Sequence, residues 1–386
     1  MNLPLLKNAS DLLGKRVLLR LDLNLPIVDG QVRDDFRLRR SLPTLEFLKA
    51  HGARTIILSH TDSKETDSLL PVAKLLLQKF RDLQFAPSIE ELPKRLTALA
   101  PGGFLFLENL RRNPGEEEND LQFAKRLSSF GDIYVNDAFS VSHRAHASIV
   151  GVPKFLRSFA GLLFAEEVSH LSKAFNPPKP FLFLLAGAKF ETKFPLVQKF
   201  LKSADNVFIG GALANDLLKT KGYEIGLSKH SEKDFGFEGI LKNQKLIIPT
   251  DVVTENDGKQ QTKKASEVSP SDTIFDAGSE TVALISEKLK TAKFVLWNGT
   301  LGAYEKGFTE GTENLARAIA QSKVESIVGG GDTVASLGKL GLLEKFSFVS
   351  TGGGAMLRFL ANETLPGIVS LTGSLGNSNR AIKNAL

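Results

Sequence analysis

Short, almost uninterrupted apolar runs recur along this chain, and each is followed by a turn and a segment of helical character. Most of them are too short for helices, and continuous apolar character is typical of strands that are buried on both faces of a parallel sheet. Stretches between them, such as 42–51 and 313–321, fit crossover helices. The predicted strands are 16–21, 55–59, 104–107, 133–135, 181–185, 207–209, 246–248, 294–297, 326–328 and 346–349.

The runs form two sets, and a chain of 386 residues is long enough for two domains. A predicted helix at 162–175 ends before the proline-rich segment 176–180, which cannot continue a helix and therefore indicates a stiff connector. The predicted fold class is α/β, with two Rossmann-like three-layer (αβα) domains of mainly parallel strands joined by a hinge helix. The expected parts are a first domain at 1–158, a helix and connector at 159–180, and a second domain at 181–367.

The last segment of the chain, 368–386, is expected to pack back onto the first domain. Within it, the Gly, Ser and Asn residues of 373–379 predict a loop before a short final helix.

Composition limits the classes of function. The net charge of +6 is mild, and basic residues occur in no block of like charge, which argues against a nucleic-acid partner. No apolar run reaches the length of about 18 residues that a membrane helix needs. The first residues lack the apolar core of a signal peptide, so a cytoplasmic protein is expected. Because the chain has no cysteine, it has no disulfides, thiolate catalysis or cysteine-based zinc sites.

Basic side chains recur where the predicted strands of the first half end, which is where open α/β sheets bind ligands. Arginine presents a planar fork that matches phosphate or carboxylate oxygens. Each arginine alone could be an ordinary solvated side chain, but the recurrence favours an anion pocket. His143 and His146 have the spacing of a metal pair, although no third ligand is near them in sequence and outward-facing or capping roles are favoured. The candidate pocket residues are Arg20, Asp22, Asn24, Arg37, His60, Arg111 and Arg144.

Glycine-rich turns follow the strands of the second half. Glycine lets backbone N–H groups approach a phosphate or a purine ring, and the N-terminus of the following helix adds a partial positive charge. Asp332 and Thr333 could cap a helix, or could reach a magnesium ion and a phosphate. Neither a P-loop nor a dinucleotide-binding glycine pattern is present. The candidate residues are Gly187, Lys189, Lys193, Gly210, Gly211, Asn298, Glu305, Gly330, Gly331, Asp332, Thr333 and 352–354.

Together these motifs resemble those of the phosphoglycerate kinases, in order and over nearly the whole chain. The segments that carry the resemblance are LLRLDLNLP, DDFRLRRSLPTLEFL, LSH, FLENLRRNPGEE, VNDAFSVSHRAHAS, FAGLLFAEEVSHLSKAF, LLAGAKFETK, VLWNGTLGAYE, IVGGGDT and VSTGGGA. The resemblance implies reversible phosphoryl transfer between 1,3-bisphosphoglycerate and ADP, which gives 3-phosphoglycerate and ATP. It also implies Mg²⁺, closure of the two domains about the hinge helix, and a monomer without membrane or nucleic-acid partners.

The resemblance also implies roles for single residues. The seven candidates of the first half fall on the family's 3-phosphoglycerate positions, and Arg37 is expected to stabilise the transferred group. Lys189 and Lys193 fall on the nucleotide-side lysines, and Lys193 is expected to meet the migrating phosphoryl group. Asp332 is the expected magnesium residue. The remaining expectations are a nucleotide pocket lined by Gly210, Gly211, Asn298, Gly330, Gly331 and Thr333, a ribose contact from Glu305, and N–H groups near the transfer site from Gly352, Gly353 and Gly354.

The chain departs from the family pattern after His60. Family members usually continue with Leu-Gly-Arg-Pro, whereas this chain has Thr61, Asp62, Ser63 and Lys64. The expected substrate arginine is therefore Ser63, and Asp62 adds a negative charge beside an anion pocket. An active kinase is the favoured interpretation. The alternatives are a catalytically weakened nucleotide-binding protein, which the Ser63 position suggests, and an unrelated α/β dehydrogenase, which the missing dinucleotide pattern disfavours.

Overall fold

The computed structural model describes residues 3–188 and 190–383, with side chains described as far as Ser374. Its contacts divide the chain into two compact units. The first contains the residues up to Ser169 and those from Asn362 onward, and the second contains His170–Ala361. One division lies inside the predicted connector 159–180, and the other lies six residues before the predicted boundary at 367.

The first unit is built on a six-stranded parallel sheet with the order β5-β6-β4-β1-β7-β8. Most residues of its four central strands are buried, which is typical of a parallel sheet that is covered on both faces. Its strands are β1 (Arg16–Arg20), β2 (Ile27–Val28), β3 (Gln31–Val32), β4 (Arg54–Leu58), β5 (Gln84–Ala86), β6 (Phe104–Leu107), β7 (Ile133–Asn136) and β8 (Arg157–Ala160). Its helices are α1 (Phe36–Ala50), α2 (Leu70–Lys79), α3 (Leu92–Leu96), α4 (Pro114–Glu117) and α5 (Leu121–Ser128). Helix α6 (Leu162–Ser172) crosses from this unit into the next.

The second unit repeats the plan with a six-stranded parallel sheet, β11-β10-β9-β15-β16-β17. A separate antiparallel sheet, β13-β12-β14, is added to it. The strands are β9 (Phe181–Leu185), β10 (Asn206–Ile209), β11 (Leu246–Ile247), β12 (Asp251–Asn256), β13 (Lys259–Lys264), β14 (Thr273–Ala277), β15 (Phe294–Asn298), β16 (Glu325–Gly329) and β17 (Phe348–Val349). The helices are α7 (Phe190–Ser203), α8 (Ala212–Thr220), α9 (Phe237–Leu241), α10 (Ser279–Leu289), α11 (Glu310–Gln321), α12 (Gly331–Lys339) and α13 (Gly354–Asn362).

The ten predicted strands are all present, with ends that shift by at most two residues. The predicted α/β class with mainly parallel sheets is confirmed. The prediction of a loop at 373–379 is wrong, because α14 (Pro366–Lys383) is one continuous helix. Its first turns bury Ile368 and Leu371 in the first unit, and the Gly367 N–H donates to the Ser142 carbonyl at 2.9 Å. Tertiary packing here outweighs the weak helix propensity of Gly, Ser and Asn.

No helix in the described part of the chain is long and apolar enough to cross a membrane.

Candidate active site

The candidate anion pocket lies at the carboxyl ends of the first unit's strands. In this sheet the strand order reverses between β1 and β7, and ligands of open α/β sheets bind at such a switch point. Arg20 is the last residue of β1, whereas His60, Arg111 and Arg144 follow β4, β6 and β7 in the chain. Arg37 lies in the first turn of α1. The fold thus carries basic side chains from separate strand exits to one edge of the sheet.

Arg20 is buried, and its guanidinium is held from several sides. Nε donates to Ser148 Oγ at 2.8 Å, and Nη2 donates to His60 Nδ1 at 3.2 Å. Glu116, which is fully buried, lies 3.9 Å from Nη2 and accepts hydrogen bonds from the Ser148 N–H and hydroxyl. Burial lowers the pKa of Arg20, and the charge of Glu116 opposes that effect. Glu116 and Ser148 therefore position Arg20, and no pattern in the sequence indicated them.

His60 is neutral at physiological pH. Burial and, next, the positive charge of Arg20 lower its pKa to about 3. Because Nδ1 accepts from Arg20, the single ring proton resides on Nε2, which can donate to an anionic oxygen.

Asp22 orients Arg37. One carboxylate oxygen of Asp22 accepts from Arg37 Nη1 at 3.0 Å and also from the Ser140 hydroxyl, and the Asn24 carbonyl lies 3.3 Å from the same Nη1. Burial raises the pKa of Asp22, but Arg37, followed by His60 and the Ser140 hydroxyl, lowers it to about 2. A permanent carboxylate thus fixes the direction of the Arg37 guanidinium, which is one-third exposed. Asp22 therefore positions Arg37, and its own contact with a substrate stays a prediction.

Arg111 is the basic group most affected by the unusual loop after His60. Its Nη1 pairs with the Asp62 carboxylate, and its Nε lies 3.1 Å from Glu117 Oε1. Asn24 Oδ1 in turn accepts from the Asp62 N–H at 3.0 Å, which links the loop to the candidate residues. Nη2 of Arg111 is buried and has no hydrogen-bond partner in the part of the chain that the structure describes. Arg144 is exposed, and its charge contributes to lowering the pKa of Asp62.

The candidate nucleotide turns surround a cavity of about 660 Å³ in the second unit. When the six strands of the parallel sheet are numbered by their order along the chain, they lie side by side in the order 3-2-1-4-5-6. The direction in which strands are added changes between β9 and β15, which is the switch point of this sheet. The turns after β9, β10, β15 and β16 all contribute to the cavity wall. From the predicted set, the wall includes Gly187, Gly211, Glu305 and Asp332.

Two glycines allow these turns to approach each other. Gly211 has a φ of +62°, and a Cβ there would lie 2.6 Å from the Gly187 nitrogen. Gly299 has a φ of +97°, and a Cβ there would lie 2.1 Å from the Ala186 carbonyl oxygen. Neither position tolerates a side chain without movement of the neighbouring backbone. The glycines therefore bring the strand exits together at the switch point.

Lys193, in the first turns of α7, donates to the Ala186 carbonyl at the end of β9. Burial lowers the pKa of Lys193 to about 8. This shift keeps the ammonium group charged at neutral pH but makes its charge sensitive to mildly basic conditions. Lys189 lies outside the described residues.

The other predicted nucleotide residues occupy the same edge of the sheet. Asn298 ends β15 and is buried, and Gly210 follows β10. Gly330 precedes α12, and Gly331, Asp332 and Thr333 form its first turn. The Thr333 hydroxyl is buried without a hydrogen-bond partner among the described residues. Gly352 and Gly353 follow β17, and Gly354 begins α13.

The residues around the cavity are compatible with a magnesium ion that is held mainly by the phosphates of a nucleotide. Asp332 lines the cavity, and Mg²⁺ at phosphate sites commonly uses one or two carboxylates together with phosphate oxygens and water. Among the described residues, no group of three or more His, Asp or Glu side chains forms a metal site by itself.

A basic cluster on one sheet and a glycine-lined cavity on the other, in a two-unit α/β protein, fit the class of phosphotransfer enzymes. A sequence model of the family described as phosphoglycerate kinase matches residues 6–363. A phosphoglycerate kinase of Coprothermobacter proteolyticus is 40% identical over 377 residues, with 93% of this chain and 96% of that protein covered. One from Moorella thermoacetica is 40% identical over 386 residues, with 94% and 97% covered.

Solved structures agree with these sequence matches. The phosphoglycerate kinase of Coxiella burnetii superposes with a TM-score of 0.83 at 37% identity and covers 96% of this chain and 99% of its own. That of Pyrococcus horikoshii has a TM-score of 0.86 at 29% identity, with the same coverage. The chain belongs to the phosphoglycerate kinase family. The predicted family and the predicted class of enzyme, a phosphotransferase with a carboxyl group as acceptor, are confirmed.

Proposed function

We propose that this chain catalyses the reversible transfer of a phosphoryl group from 1,3-bisphosphoglycerate to ADP. The observation that carries the proposal is the pairing of two ligand sites of complementary chemistry in one chain of this family. The first unit gathers arginines and a neutral histidine at the exits of its strands. The second unit surrounds a cavity with glycine turns and Asp332, and Lys193 donates to the Ala186 carbonyl, next to the glycine turn that follows β9. The first site suits a small phosphorylated acid, and the second suits a nucleotide.

In the first unit, Arg20, Arg111, Arg144 and the Nε2–H of His60 would bind the phosphate and carboxylate oxygens of 3-phosphoglycerate. Arg37, held by Asp22 and by the Asn24 carbonyl, would stabilise charge on the group in transfer. Because this orientation exists before a ligand binds, little reorganisation is needed during the reaction.

In the second unit, the glycine turns would cradle the nucleotide phosphates, and Glu305 would bind the ribose. Lys193 and the N–H groups of Gly353 and Gly354 would contact the phosphoryl group in transfer. Phosphoryl transfer depends mainly on in-line positioning and on stabilisation of charge, which Arg, Lys and helix N-termini provide. Asp332 would hold Mg²⁺ together with the nucleotide phosphates, and the ion would neutralise negative charge there.

The two sites lie in different units, and transfer requires that their ligands meet in a place from which water is excluded. Hinge bending about α6 stays a prediction, as do the boundaries at 158, 181 and 367 and the assignment of one substrate to each domain. A cytoplasmic monomer that acts on small molecules, without nucleic-acid or membrane partners, is also part of the proposal.

A coupled assay with 3-phosphoglycerate and MgATP tests this function. We expect turnover that depends on both substrates. The substitution Lys193→Ala should reduce this turnover to the background of the assay. Lys202→Ala is the matched control, because Lys202 is an exposed lysine further along the same helix. If the wild-type protein shows no turnover above Lys193→Ala, the kinase proposal is wrong and the alternative of a weakened binding protein is favoured.

A further inference from the structure

Three buried side chains are joined by hydrogen bonds behind the candidate anion pocket. Glu116 and Ser148 are fully buried, and Arg20 is only 1% exposed. The Ser148 hydroxyl accepts from Arg20 Nε at 2.8 Å and donates to Glu116 Oε1 at 2.6 Å. These directions follow from the chemistry, because a guanidinium only donates and a carboxylate only accepts. The hydroxyl therefore stands between a buried positive charge and a buried negative charge.

The same guanidinium holds the ring of His60, which is itself buried. Arg20 Nη2 lies 3.2 Å from His60 Nδ1, and Nδ1 is the acceptor because arginine has no acceptor to offer. This hydrogen bond fixes the orientation of the ring and places its proton on Nε2. The Nε2–H is the group that would donate to an anionic ligand, so the usefulness of His60 depends on where Arg20 is held.

Glu116 competes with His60 for the same guanidinium nitrogen. Glu116 Oε1 lies 3.9 Å from Arg20 Nη2, and a carboxylate attracts a guanidinium more strongly than a neutral ring does. The hydrogen bond from the Ser148 hydroxyl occupies Oε1. His146 Nδ1 lies 4.0 Å from the same oxygen, but burial lowers the pKa of His146, so at neutral pH this ring is the weaker competitor for the carboxylate.

We propose that Ser148 is a positioning residue for His60: its hydroxyl occupies Glu116 and so prevents this carboxylate from drawing Arg20 away from the ring. Without the hydroxyl, Glu116 Oε1 loses a donor and Arg20 Nε loses its acceptor, so the guanidinium turns toward the carboxylate. His60 Nδ1 is then left without a donor, and the ring can adopt either tautomer. The effect on the tautomer is independent of any reaction, whereas its consequence for 3-phosphoglycerate rests on the proposed function.

The substitution Ser148→Ala removes the hydroxyl and leaves the backbone contacts of this residue in place. The Ser148 carbonyl accepts from the Tyr134 hydroxyl at 2.5 Å, and the Ser148 N–H donates to Glu116 Oε2 at 2.9 Å. Ring ¹⁵N NMR at neutral pH measures the tautomer of His60, whose signals are those that disappear in His60→Gln. We expect only the tautomer with Nε2–H in the wild type, and both tautomers in exchange in Ser148→Ala.

Ser158→Ala is the matched control for this measurement. Ser158 is a buried serine of β8 in the same unit, and its hydroxyl donates to the Leu156 carbonyl at 2.8 Å. Its loss removes one buried hydroxyl without touching Arg20 or Glu116. The His60 signals of this variant should match those of the wild type.

Steady-state kinetics tests the consequence for the substrate. A ring that must be ordered when the ligand binds weakens binding, so KM for 3-phosphoglycerate should rise by about twofold to tenfold in Ser148→Ala. KM for MgATP should stay within about twofold of the wild-type value, because the nucleotide cavity belongs to the other unit. In a His60→Ala background, Ser148→Ala should have little further effect on KM for 3-phosphoglycerate, since Ser148 acts through His60.

Several results would overturn the proposal. One is a wild-type His60 that carries its proton on Nδ1, which needs no variant to detect. Another is an unchanged tautomer in Ser148→Ala, and a third is an equal rise of KM in the wild-type and His60→Ala backgrounds. If Ser148→Ala fails to fold, Ser148→Cys takes its place, because a thiol keeps a similar volume but is a weak donor and acceptor. The same mixture of tautomers is expected, and a purely Nε2–H ring in Ser148→Cys would overturn the proposal.

The two kinds of measurement separate this inference from the proposed reaction. A tautomer that responds to Ser148→Ala, in a protein without 3-phosphoglycerate-dependent turnover, supports the role of Ser148 and overturns the kinase proposal. Normal turnover with a tautomer that ignores Ser148→Ala overturns the role of Ser148 alone.

Discussion

The carboxylate of Asp62 is paired with the guanidinium of Arg111 in the candidate anion pocket. The two residues lie 49 positions apart in the chain and meet where β4 and β6 end. Glu117 lies against the same guanidinium, so this arginine already has two carboxylates as neighbours. An anionic substrate that uses Arg111 must compete with them.

We therefore expect Asp62→Asn to lower KM for 3-phosphoglycerate by about threefold to tenfold while kcat changes little. The substitution removes a negative charge that both occupies Arg111 and repels the ligand. Steady-state kinetics at fixed MgATP measures the effect. Asp67→Asn is the matched control, since Asp67 pairs with the neighbouring Arg112 on the surface and its loss should leave KM unchanged. A higher KM in Asp62→Asn would mean that Asp62 instead holds Arg111 in its binding position.

Arg37→Ala should lower kcat by well over tenfold. Loss of one contact made in the transition state commonly costs about 2.7–4 kcal/mol, and Asp22 pre-orients this guanidinium for such a contact. Arg39→Ala offers the comparison, because Arg39 is exposed on the same helix and pairs with Asp35. Near-normal kcat in Arg37→Ala would show that the catalytic assignment of Arg37 is wrong.

The pH dependence of kcat/KM for MgATP should reflect the loss of the proton from Lys193. Burial lowers its pKa to about 8, so the free enzyme loses this positive charge as the pH rises through that value. Because the charged form is the one that attracts phosphate, kcat/KM should fall above about pH 8. In Lys193→Arg the side chain stays charged throughout this range, so the decline should disappear even if the rate is lower. If kcat/KM declines at the same pH in the wild type and in Lys193→Arg, the titration of another group causes the decline.

Asp137 should make stability depend on pH. It is buried, its Oδ1 accepts from the Phe164 N–H in the first turn of α6, and burial raises its pKa to about 7. Between an unfolded value near 3.8 and about 7, the folded state binds a proton that the unfolded state does not, so stability falls as pH rises through this window. Glu166 adds to the upward shift by its negative charge.

Asp137→Asn retains an oxygen for the Phe164 N–H and cannot ionise. We expect Asp137→Asn to raise the free energy of unfolding at pH 8 by about 1–3 kcal/mol. The decrease of this free energy between pH 4 and 7 should become smaller than in the wild type. Urea unfolding at several pH values measures both effects. Asp132→Asn is the contrast, because its hydrogen bond with Arg16 lowers the pKa of Asp132, so that this change should slightly destabilise the protein above pH 4. Equal stability of the wild type and Asp137→Asn at all pH values would contradict this account.

The sequence was sufficient to predict ten of the twelve described strands of the two parallel sheets, because strands buried on both faces read as unbroken apolar runs. It missed β5 and β8, which are the edge strands of the first sheet. The same criterion fails for β13, whose residues KQQTKK form an exposed edge of the antiparallel sheet. The loop predicted at 373–379 from its Gly, Ser and Asn residues is also wrong, because packing of α14 on the first unit outweighs local propensity. Strand exits indicated the candidate residues, whose roles stay predictions, but nothing in the sequence indicated Glu116. The position of a buried acidic side chain beside Arg20 is defined by neighbours from distant parts of the chain.

The return of α14 to the first unit has a consequence for synthesis on the ribosome. The first unit is discontinuous in sequence, because the roughly 190 residues of the second unit separate Ser169 from Asn362. At typical elongation rates of about 5–20 residues per second, the last helix emerges about 10–40 s after the rest of its unit. The second unit can therefore complete its fold on the nascent chain first. Until α14 arrives, the surface that later covers Ile368 and Leu371 is open to other contacts, including chaperones.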